Sequence, residues 1–149
     1  MKLEEEIKQS KFRNEHHKLA VNVIYTYSWL TNIQSRMFNE YHITSNQYNI
    51  LRILRGQHPE PASINLLKER MLDKMSDASR LVERLRIKGF VRRDLSSNDR
   101  RRVDVIITVK GLKLLAEMDK LNQKADAIFQ NLSLDEAKEL NNLLDKLRG

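Results

Sequence analysis

Residues 78–111 decide the fold, and they read ASRLVERLRIKGFVRRDLSSNDRRRVDVIITVKG. Apolar residues recur at steps of three or four in the first part of this stretch, which is typical of one buried helix face. We therefore predict a helix from Met75 to Lys88, ended by Gly89 in the left-handed conformation. The predicted core face of this helix consists of Ala78, Leu81, Val82 and Leu85.

After Gly89 the pattern changes from helical spacing to alternation. β-Branched residues occupy every second position of residues 103–107, and this period of two predicts a strand. We expect residues 90–95 to form the partner strand, because the polar segment SSNDRRR at positions 96–102 suits the tip of a hairpin. The sequence therefore predicts a two-stranded hairpin with an arginine-rich tip.

Before residue 78, capping residues mark two further helices. Thr44 and Gln47 have the spacing of a capping box, which predicts a helix that ends near Gly56. Ser63 has the right side chain to cap a short helix carrying Ile64, Leu67 and Met71. Together with the helix at 75–88, these segments predict a helix-turn-helix followed by a hairpin, which is the layout of a winged helix-turn-helix.

Long amphipathic helices flank this unit. Residues 11–41 carry apolar side chains at helical spacing, which predicts a first long helix. Thr108 is placed to cap a second helix that runs to about Asn131. Ser133 and Glu136 have the spacing of a second capping box, which predicts a last helix behind them. The apolar faces consist of Leu19, Val23, Tyr27, Leu30, Ile33 and Met37 in the first helix and Ala137, Leu140, Leu144 and Leu147 in the last.

The predicted fold class is mainly α (α+β), because glycine and proline are scarce and one hairpin accounts for the strands. The length of 149 residues suits a single domain. We expect residues 1–41 and 112–149 to be dimerisation helices and residues 44–111 to form the winged helix-turn-helix region. We also predict a homodimer, because a winged domain of about 60–70 residues is too small to cover the apolar faces of these additional helices.

The positive charge is concentrated in the predicted helix and hairpin. The chain has a formal net charge of +7, and the segment from Arg80 to Arg102, with nine basic and three acidic residues, carries +6 of it. A surface that only needed solubility would spread its charge. The concentration predicts an electrostatic footprint for a polyanion, and double-stranded DNA fits a helix-turn-helix.

Several classes of protein are excluded or disfavoured by what the sequence lacks. The absence of cysteine excludes thiol catalysis, disulfides and thiolate zinc sites. The sequence also lacks a glycine-rich phosphate loop and a nucleophile motif, so no motif in it predicts an enzyme. We predict no cofactor and no metal site, because the four histidines, His16, His17, His42 and His58, lack zinc-binding spacing. The charged N-terminus and the absence of a long apolar run predict a cytoplasmic protein without a membrane partner.

Four motifs in register resemble the multiple-antibiotic-resistance regulator (MarR) family. They are SRLVERL at 79–85, KGFV at 88–91, DRR at 99–101 and TVKG at 108–111. The resemblance implies a transcription regulator, usually a homodimeric repressor, that a small ligand or other signal releases from DNA. One difference lies in the turn before the helix at 75–88, where the family commonly has a glycine and this chain has Met71-Leu72-Asp73-Lys74-Met75. Another is Ile107, where the family often has leucine.

Two groups of residues are candidates for contact with DNA. The face of the predicted recognition helix opposite its core suits a major groove, because arginine can bind guanine through two hydrogen bonds and serine can donate to bases or phosphates. The arginines of the hairpin tip suit the minor groove, whose negative potential attracts them. By resemblance to the family, Asp99 and Arg101 brace the wing. The candidates are Ser76, Ser79, Arg80 and Arg84 in the helix and Arg100, Arg101 and Arg102 in the wing.

A ligand pocket is a further expectation from the resemblance, since the family's pocket lies near the dimer interface between the first helices and the helix after the wing. Tyr25, Trp29 and Tyr41 could line such a pocket, because aromatic walls with a polar group suit a small aromatic effector. Ordinary core packing explains the same aromatic residues equally well.

Three alternative functions remain open from the sequence. A constitutive architectural DNA-binding protein would lack an effector and show little sequence preference. An adaptor for anionic surfaces would bind lipid headgroups through the basic segment, although it calls for a basic helix with exposed large apolar residues. An enzyme is the third, and no motif supports it.

Overall fold

The computed structural model describes residues 1–95 and 103–149. Helices dominate this part of the chain, and a small three-stranded sheet completes it. In chain order the elements are α1 (Leu3–Glu6), α2 (Glu15–Asn39), α3 (Ser45–Gln57), β1 (Ala62–Ser63), α4 (Ile64–Arg70), α5 (Ala78–Ile87), β2 (Val91–Leu95), β3 (Val103–Ile107), α6 (Val109–Asp119), α7 (Asn122–Ala127) and α8 (Leu134–Arg148).

One hydrophobic core joins α3, α4, α5, the sheet and α6. Each large apolar side chain buried there stabilises the fold by about 1.5–3 kcal/mol relative to an exposed one. The core therefore holds α5 at a fixed place against α3 and the sheet. Its most deeply buried large side chains are Ile50, Leu51, Leu54, Leu67, Met71, Val82, Leu85, Val105 and Leu115.

The sheet has the strand order β1-β3-β2, and both pairings are antiparallel. The predicted hairpin is confirmed, with Val91 opposite Ile107 and Leu95 opposite Val103. Strand β1 was not predicted, since two residues are too short to show a period. Its Ser63 pairs with Asp104 of β3 and also caps α4 by accepting a hydrogen bond from the backbone N–H of Leu66.

The local predictions of helix ends are confirmed at most positions. Thr44 and Ser133 each form the predicted capping box, and the Thr108 side chain caps α6 by accepting from Gly111. Gly89 ends α5 with φ +77°, in the left-handed region where an L side chain would be strained. These ends were predictable because each depends on only a few neighbouring residues.

Three helix boundaries differ from the predictions. Helix α5 begins at Ala78 rather than Met75, because the side chain of Asp77 accepts the backbone N–H of Arg80 and so caps it there. Helix α2 begins at Glu15, behind an Asn14 cap, rather than near Lys11. The helix after the wing stops at Asp119, where the backbone N–H of Lys120 bonds to Glu117 and Met118 in a tightened last turn.

The short helix α1 folds back onto α2, which the sequence did not predict. Its Leu3 is buried, Glu4 pairs with Lys18, and the Tyr25 hydroxyl donates to Glu6 at 2.8 Å. Within the described residues, none of the helices combines the length and the hydropathy needed to cross a bilayer.

Candidate nucleic-acid interface

Helix α5 presents one polar face to solvent. Ala78, Val82 and Leu85 are buried in the core, so the opposite side of the helix carries the exposed Ser79, Arg80 and Arg84. Neither Arg80 nor Arg84 forms an ion pair within residues 1–95 and 103–149. Like charges one helical turn apart destabilise a helix by a few tenths of a kcal/mol, so an external anion is the natural partner of this face.

Ser76 lies just before α5, beside Arg80 and Arg84, so the expected helix start is corrected and its proposed contact with DNA stays a prediction. Its hydroxyl donates to Asp73 at 2.6 Å and accepts from the side-chain amide of Asn46, also at 2.6 Å. The serine is therefore engaged within the protein, one residue before the cap of the helix.

The turn before α5 needs no glycine. Met71 ends α4 in an extended conformation, with φ −63° and ψ 142°, so no residue there requires the left-handed region. The turn is stabilised instead by the Asp73 carboxylate, which accepts from Met75, Ser76 and Asn46. The lack of a glycine is visible in the sequence, but this substitute is not, because its partner Asn46 lies 27 positions earlier.

Glu83 forms ion pairs with two other arginines near α5, Arg86 and Arg93. Its carboxylate accepts from Arg86 at 2.8 and 3.0 Å and from Arg93 of β2 at 3.2 Å. These two guanidinium groups lower the pKa of Glu83 from 4.5 to about 2. The Glu83–Arg93 pair thus joins α5 to the wing strand, whereas Arg80 and Arg84 have no ion pair in the described part of the chain.

The structure describes the two strands of the wing, of which β2 ends at Leu95 and β3 begins at Val103. Asp99, Arg100, Arg101 and Arg102 lie outside the described residues. Their proposed contacts with DNA and the proposed bracing of the wing stay predictions.

The end of α5, the start of β2 and the start of α6 meet at one tight junction. The Thr108 hydroxyl donates to the backbone carbonyl of Gly89 at 2.7 Å, and its backbone N–H donates to that of Phe90 at 3.0 Å. A β-carbon on Gly111 would lie only 2.4 Å from the same Phe90 oxygen. This packing explains why a glycine stands three residues after the threonine.

Two of the three aromatic residues suggested for a ligand pocket lie together in the described part of the chain. Tyr25 and Trp29 line a hollow beside α1, whereas Tyr41 packs against the small cluster of Phe38, Ile43 and Met118. A separate cavity of about 210 Å³ lies among α2, α3, α6 and α7. Its lining includes Leu30, Gln34, Phe38, Met118, Ile128 and Phe129.

Histidine and acidic side chains do not gather into a metal site within the ranges 1–95 and 103–149.

Comparison with known proteins agrees with this geometry. The sequence profile of the MarR family matches residues 43–103, which span α3 to the start of β3. The HTH-type transcriptional regulator MgrA of Staphylococcus aureus is 31% identical over 113 residues, or 76% of this chain and 75% of that protein. The chain belongs to the MarR family.

Solved MarR structures share the fold. A MarR transcription factor from Planctomyces limnophilus is 29% identical, with a TM-score of 0.69 over 91% of this chain and 98% of that chain. A mutant MarR from Escherichia coli, solved with operator DNA, is 24% identical, with a TM-score of 0.80 over 93% of this chain and 99% of that chain. The predicted winged helix-turn-helix is confirmed, and the MarR family places the protein among DNA-binding transcription regulators rather than enzymes.

Proposed function

We propose that the protein is a homodimeric repressor that binds a near-palindromic operator and is released by a small aromatic ligand. The observation that carries the proposal is the exposed row of Ser79, Arg80 and Arg84 opposite the buried face of α5. In a helix-turn-helix protein this helix enters the major groove. The mutant MarR from Escherichia coli, which has the same fold, was solved with operator DNA, and this supports DNA as the partner of the present chain.

Arg80 is the proposed base-reading residue. It lies in the first turn of α5, and the N-terminal residues of a recognition helix are those that contact base edges. Arginine contacts guanine through two hydrogen bonds, and removing them costs about 1–3 kcal/mol. Arg100 and Arg102 of the wing are proposed to bind phosphate and the minor groove, which strengthens binding to all sequences alike.

The exposed apolar faces of the terminal helices support a homodimer. Helix α8 has no buried residue, and its Leu140 and Leu147 are 45% and 56% exposed. Leu19 and Val23 of α2 are likewise exposed. We infer that residues 1–41 and 112–149 form the dimer interface and that two-fold symmetry places the two α5 helices roughly 34 Å apart, one turn of DNA.

Salt-dependent DNA binding tests the assignment of α5 and the wing. The wild-type protein first selects a preferred duplex from a randomised pool, and its affinity for that duplex and for a scrambled one is then measured over a series of salt concentrations. Arg80→Ala is expected to lose affinity for the selected duplex and to retain most of it for the scrambled one. Arg100→Ala with Arg102→Ala is expected to weaken both and to reduce the salt slope by about 0.9 for each phosphate that the variant no longer neutralises.

Arg86→Ala is the matched control, because Arg86 lies on the same helix but is held by Glu83. Its ratio of selected to scrambled affinity should equal that of the wild type. Equal losses on both duplexes for Arg80→Ala would contradict a base-reading role. Selection of no preferred duplex at all would favour an architectural protein, and binding to anionic vesicles without DNA binding would favour the adaptor.

The cavity among α2, α3, α6 and α7 is the proposed effector site. Its volume of about 210 Å³ is sufficient for one aromatic ring, since a cavity of about 150 Å³ holds benzene. Gln34, Tyr48 and Asn122 supply polar groups on an otherwise apolar lining. A ligand there would release DNA only if it bound the DNA-free conformation more tightly than the DNA-bound one.

A thermal-shift screen of phenolic acids, followed by DNA titration with each compound that binds, tests the effector. Ala125→Leu is expected to fill the cavity and abolish the thermal shift, whereas Tyr25→Phe, which alters the hollow beside α1, should preserve it. Loss of the thermal shift in Tyr25→Phe but not in Ala125→Leu would favour the hollow beside α1 as the effector site. Compounds that bind without changing DNA affinity would contradict ligand release.

A further inference from the structure

The turn between α4 and α5 is joined to α3 by three asparagine-mediated hydrogen bonds. The side-chain amide of Asn46 donates to Asp73 at 3.0 Å and to Ser76 at 2.6 Å. The side-chain oxygen of Asn49 accepts the backbone N–H of Leu72 at 2.9 Å. Asn46 and Asn49 are three positions apart and so lie on one face of α3.

Helix α3 is a rigid support for these bonds. Ile50, Leu51 and Leu54, which follow the two asparagines on the same helix, are buried in the main core. Buried side chains pack at the density of an organic crystal, so the helix that carries them has little freedom to shift. The turn is thus fastened to the most firmly packed element of the DNA-binding region.

Within the turn, Asp73 organises the residues that lead into α5. It accepts the backbone N–H of Met75 at 3.0 Å and the hydroxyl of Ser76 at 2.6 Å. The next residue, Asp77, caps α5, and its carboxylate bonds to the backbone N–H of Arg80. Hydrogen bonds from Ser76, Asn46 and Met75 also lower the pKa of Asp73, so the carboxylate is charged at neutral pH.

The helix start has a direct consequence for the outer face of α5. The core fixes the rotation of α5, but helix ends fray, so loss of the hydrogen bonds before Ala78 would loosen the first turn, which carries Ser79 and Arg80. Hydrogen bonds to DNA bases lose their value when the reading side chain moves by about 1 Å. The side-chain hydrogen bonds of the turn therefore decide how firmly the first turn of α5 is held.

We propose that Asn46 and Asp73 are positioning residues that fix the start of α5 and thereby determine the sequence preference of the protein. The inference rests on the proposed DNA-binding role of α5. Neither side chain has to contact DNA, because both act through Ser76 and the cap at Asp77. Their removal should therefore lower discrimination between DNA sequences more than affinity for DNA in general.

The experiment compares DNA selection by Asn46→Ala, Asp73→Ala and the exchange variant Asn46→Asp with Asp73→Asn. Each purified protein is titrated with the duplex that the wild type selects from a randomised pool and with a scrambled duplex. For each alanine variant we expect the ratio of the two affinities to fall at least tenfold, while affinity for the scrambled duplex changes less than threefold. Asn46→Ala is informative because it leaves the net charge unchanged.

The exchange variant separates positioning from charge. It reverses donor and acceptor, so that the new amide at position 73 can donate to the new carboxylate at position 46, and it keeps the net charge of the pair. We expect it to recover most of the discrimination that the alanine variants lack. Glu60→Ala, which removes an exposed carboxylate from the turn after α3, is the matched control and should keep the wild-type ratio.

The outcomes distinguish this inference from the proposed function. If the wild type selects no preferred sequence, the proposed function fails. If the wild type selects a sequence and both alanine variants, folded by circular dichroism, keep the ratio within twofold, the inference is overturned. If Asp73→Ala does not fold, Asn46→Ala and the exchange variant decide, and a folded exchange variant without recovered discrimination also overturns it.

Discussion

Glu83 provides the clearest pH-dependent contribution of a single residue. Its folded pKa of about 2 lies below the ordinary value of 4.5, because Arg86 and Arg93 favour the charged form. A group with a lowered folded pKa stabilises the protein fully above its unfolded pKa, and this stabilisation is lost as the pH falls through the folded value. Glu83→Gln should therefore lower the urea midpoint at pH 6, with a deficit that shrinks below pH 4.5 and vanishes near pH 2.

Glu60→Gln is the control for this pH series, because Glu60 is exposed in the turn after α3 and lies outside the proposed dimer interface. Its urea midpoint should follow the wild type across the whole range. A Glu83→Gln deficit of constant size from pH 6 down to about pH 2 would show that the residue acts through packing rather than charge.

Substitution by alanine is expected to have opposite effects on the free energy of unfolding at Gly111 and at Gly56. A β-carbon on Gly111 would meet the backbone oxygen of Phe90 at 2.4 Å, whereas one on Gly56 would meet nothing within 4 Å. Gly111→Ala should therefore lower the free energy of unfolding by about 1–3 kcal/mol through overpacking. Gly56→Ala, inside α3, should raise it by about 0.5–1 kcal/mol, because alanine loses less conformational freedom in a helix.

Chemical denaturation of both variants checks this pair, with the wild type measured alongside. A stabilised Gly111→Ala would mean that the junction between α5, the wing and α6 can open without cost. The motif glycine would then have no packing role.

At the scale of elements, Arg55 and Asp119 join α3 to α6. The guanidinium donates to the two carboxylate oxygens at 2.6 and 3.2 Å, and this interaction lowers the pKa of Asp119. Both side chains are about one-third exposed, so solvent screening keeps the pair near the upper end of surface ion pairs. A double-mutant cycle of Arg55→Ala and Asp119→Ala should give a coupling of about 0.5–1 kcal/mol.

The same cycle on Lys138 and Asp135, an exposed pair within α8, is the comparison. Its coupling should be about 0.3–0.5 kcal/mol, as for helix pairs at short spacing. An Arg55–Asp119 coupling no larger than this would mean that the bidentate interaction adds nothing to the attachment of α6.

Elements held by neighbouring residues were predictable from the sequence, and contacts over long separations were not. The capping boxes, the hairpin strands, Gly89 and the outward face of Arg80 and Arg84 all depend on patterns a few residues long. By contrast, the Asn46–Asp73 bond and the pairing of β1 with β3 join residues far apart in the chain. Nothing in the local pattern distinguishes an asparagine that fastens a turn from one exposed to solvent.

At the scale of the whole molecule, charge and apolar surface are unevenly distributed. Exposed apolar side chains are most numerous on α2 and α8, whereas α5 exposes Arg80 and Arg84 together with one large apolar residue, Ile87. An isolated chain would leave this apolar surface in water at a cost of roughly 25 cal/mol for each Å² that a partner could bury. This distribution fits one face for DNA and another for a second copy.

The homodimer is tested by Leu140→Asp with Leu144→Asp on α8. The two leucines are four positions apart on one face of the helix, so two carboxylates there would be buried unpaired in a dimer but solvated in a monomer. We expect sedimentation at micromolar concentration to show a dimer for the wild type and a shift toward monomer for the variant. Affinity for the selected duplex should fall with it, since a single copy binds only one half-site.

Asn142→Asp with Lys146→Gln is the matched control, because it makes the same change in net charge on the opposite face of α8. This control should remain dimeric and keep the affinity of the wild type for the selected duplex. A well-folded wild-type monomer at micromolar concentration would overturn the dimer outright. If the leucine variant became monomeric yet bound the selected duplex as tightly as the wild type, the dimer would stand, but the two half-sites would not be read together, and the operator would have no need of two-fold symmetry.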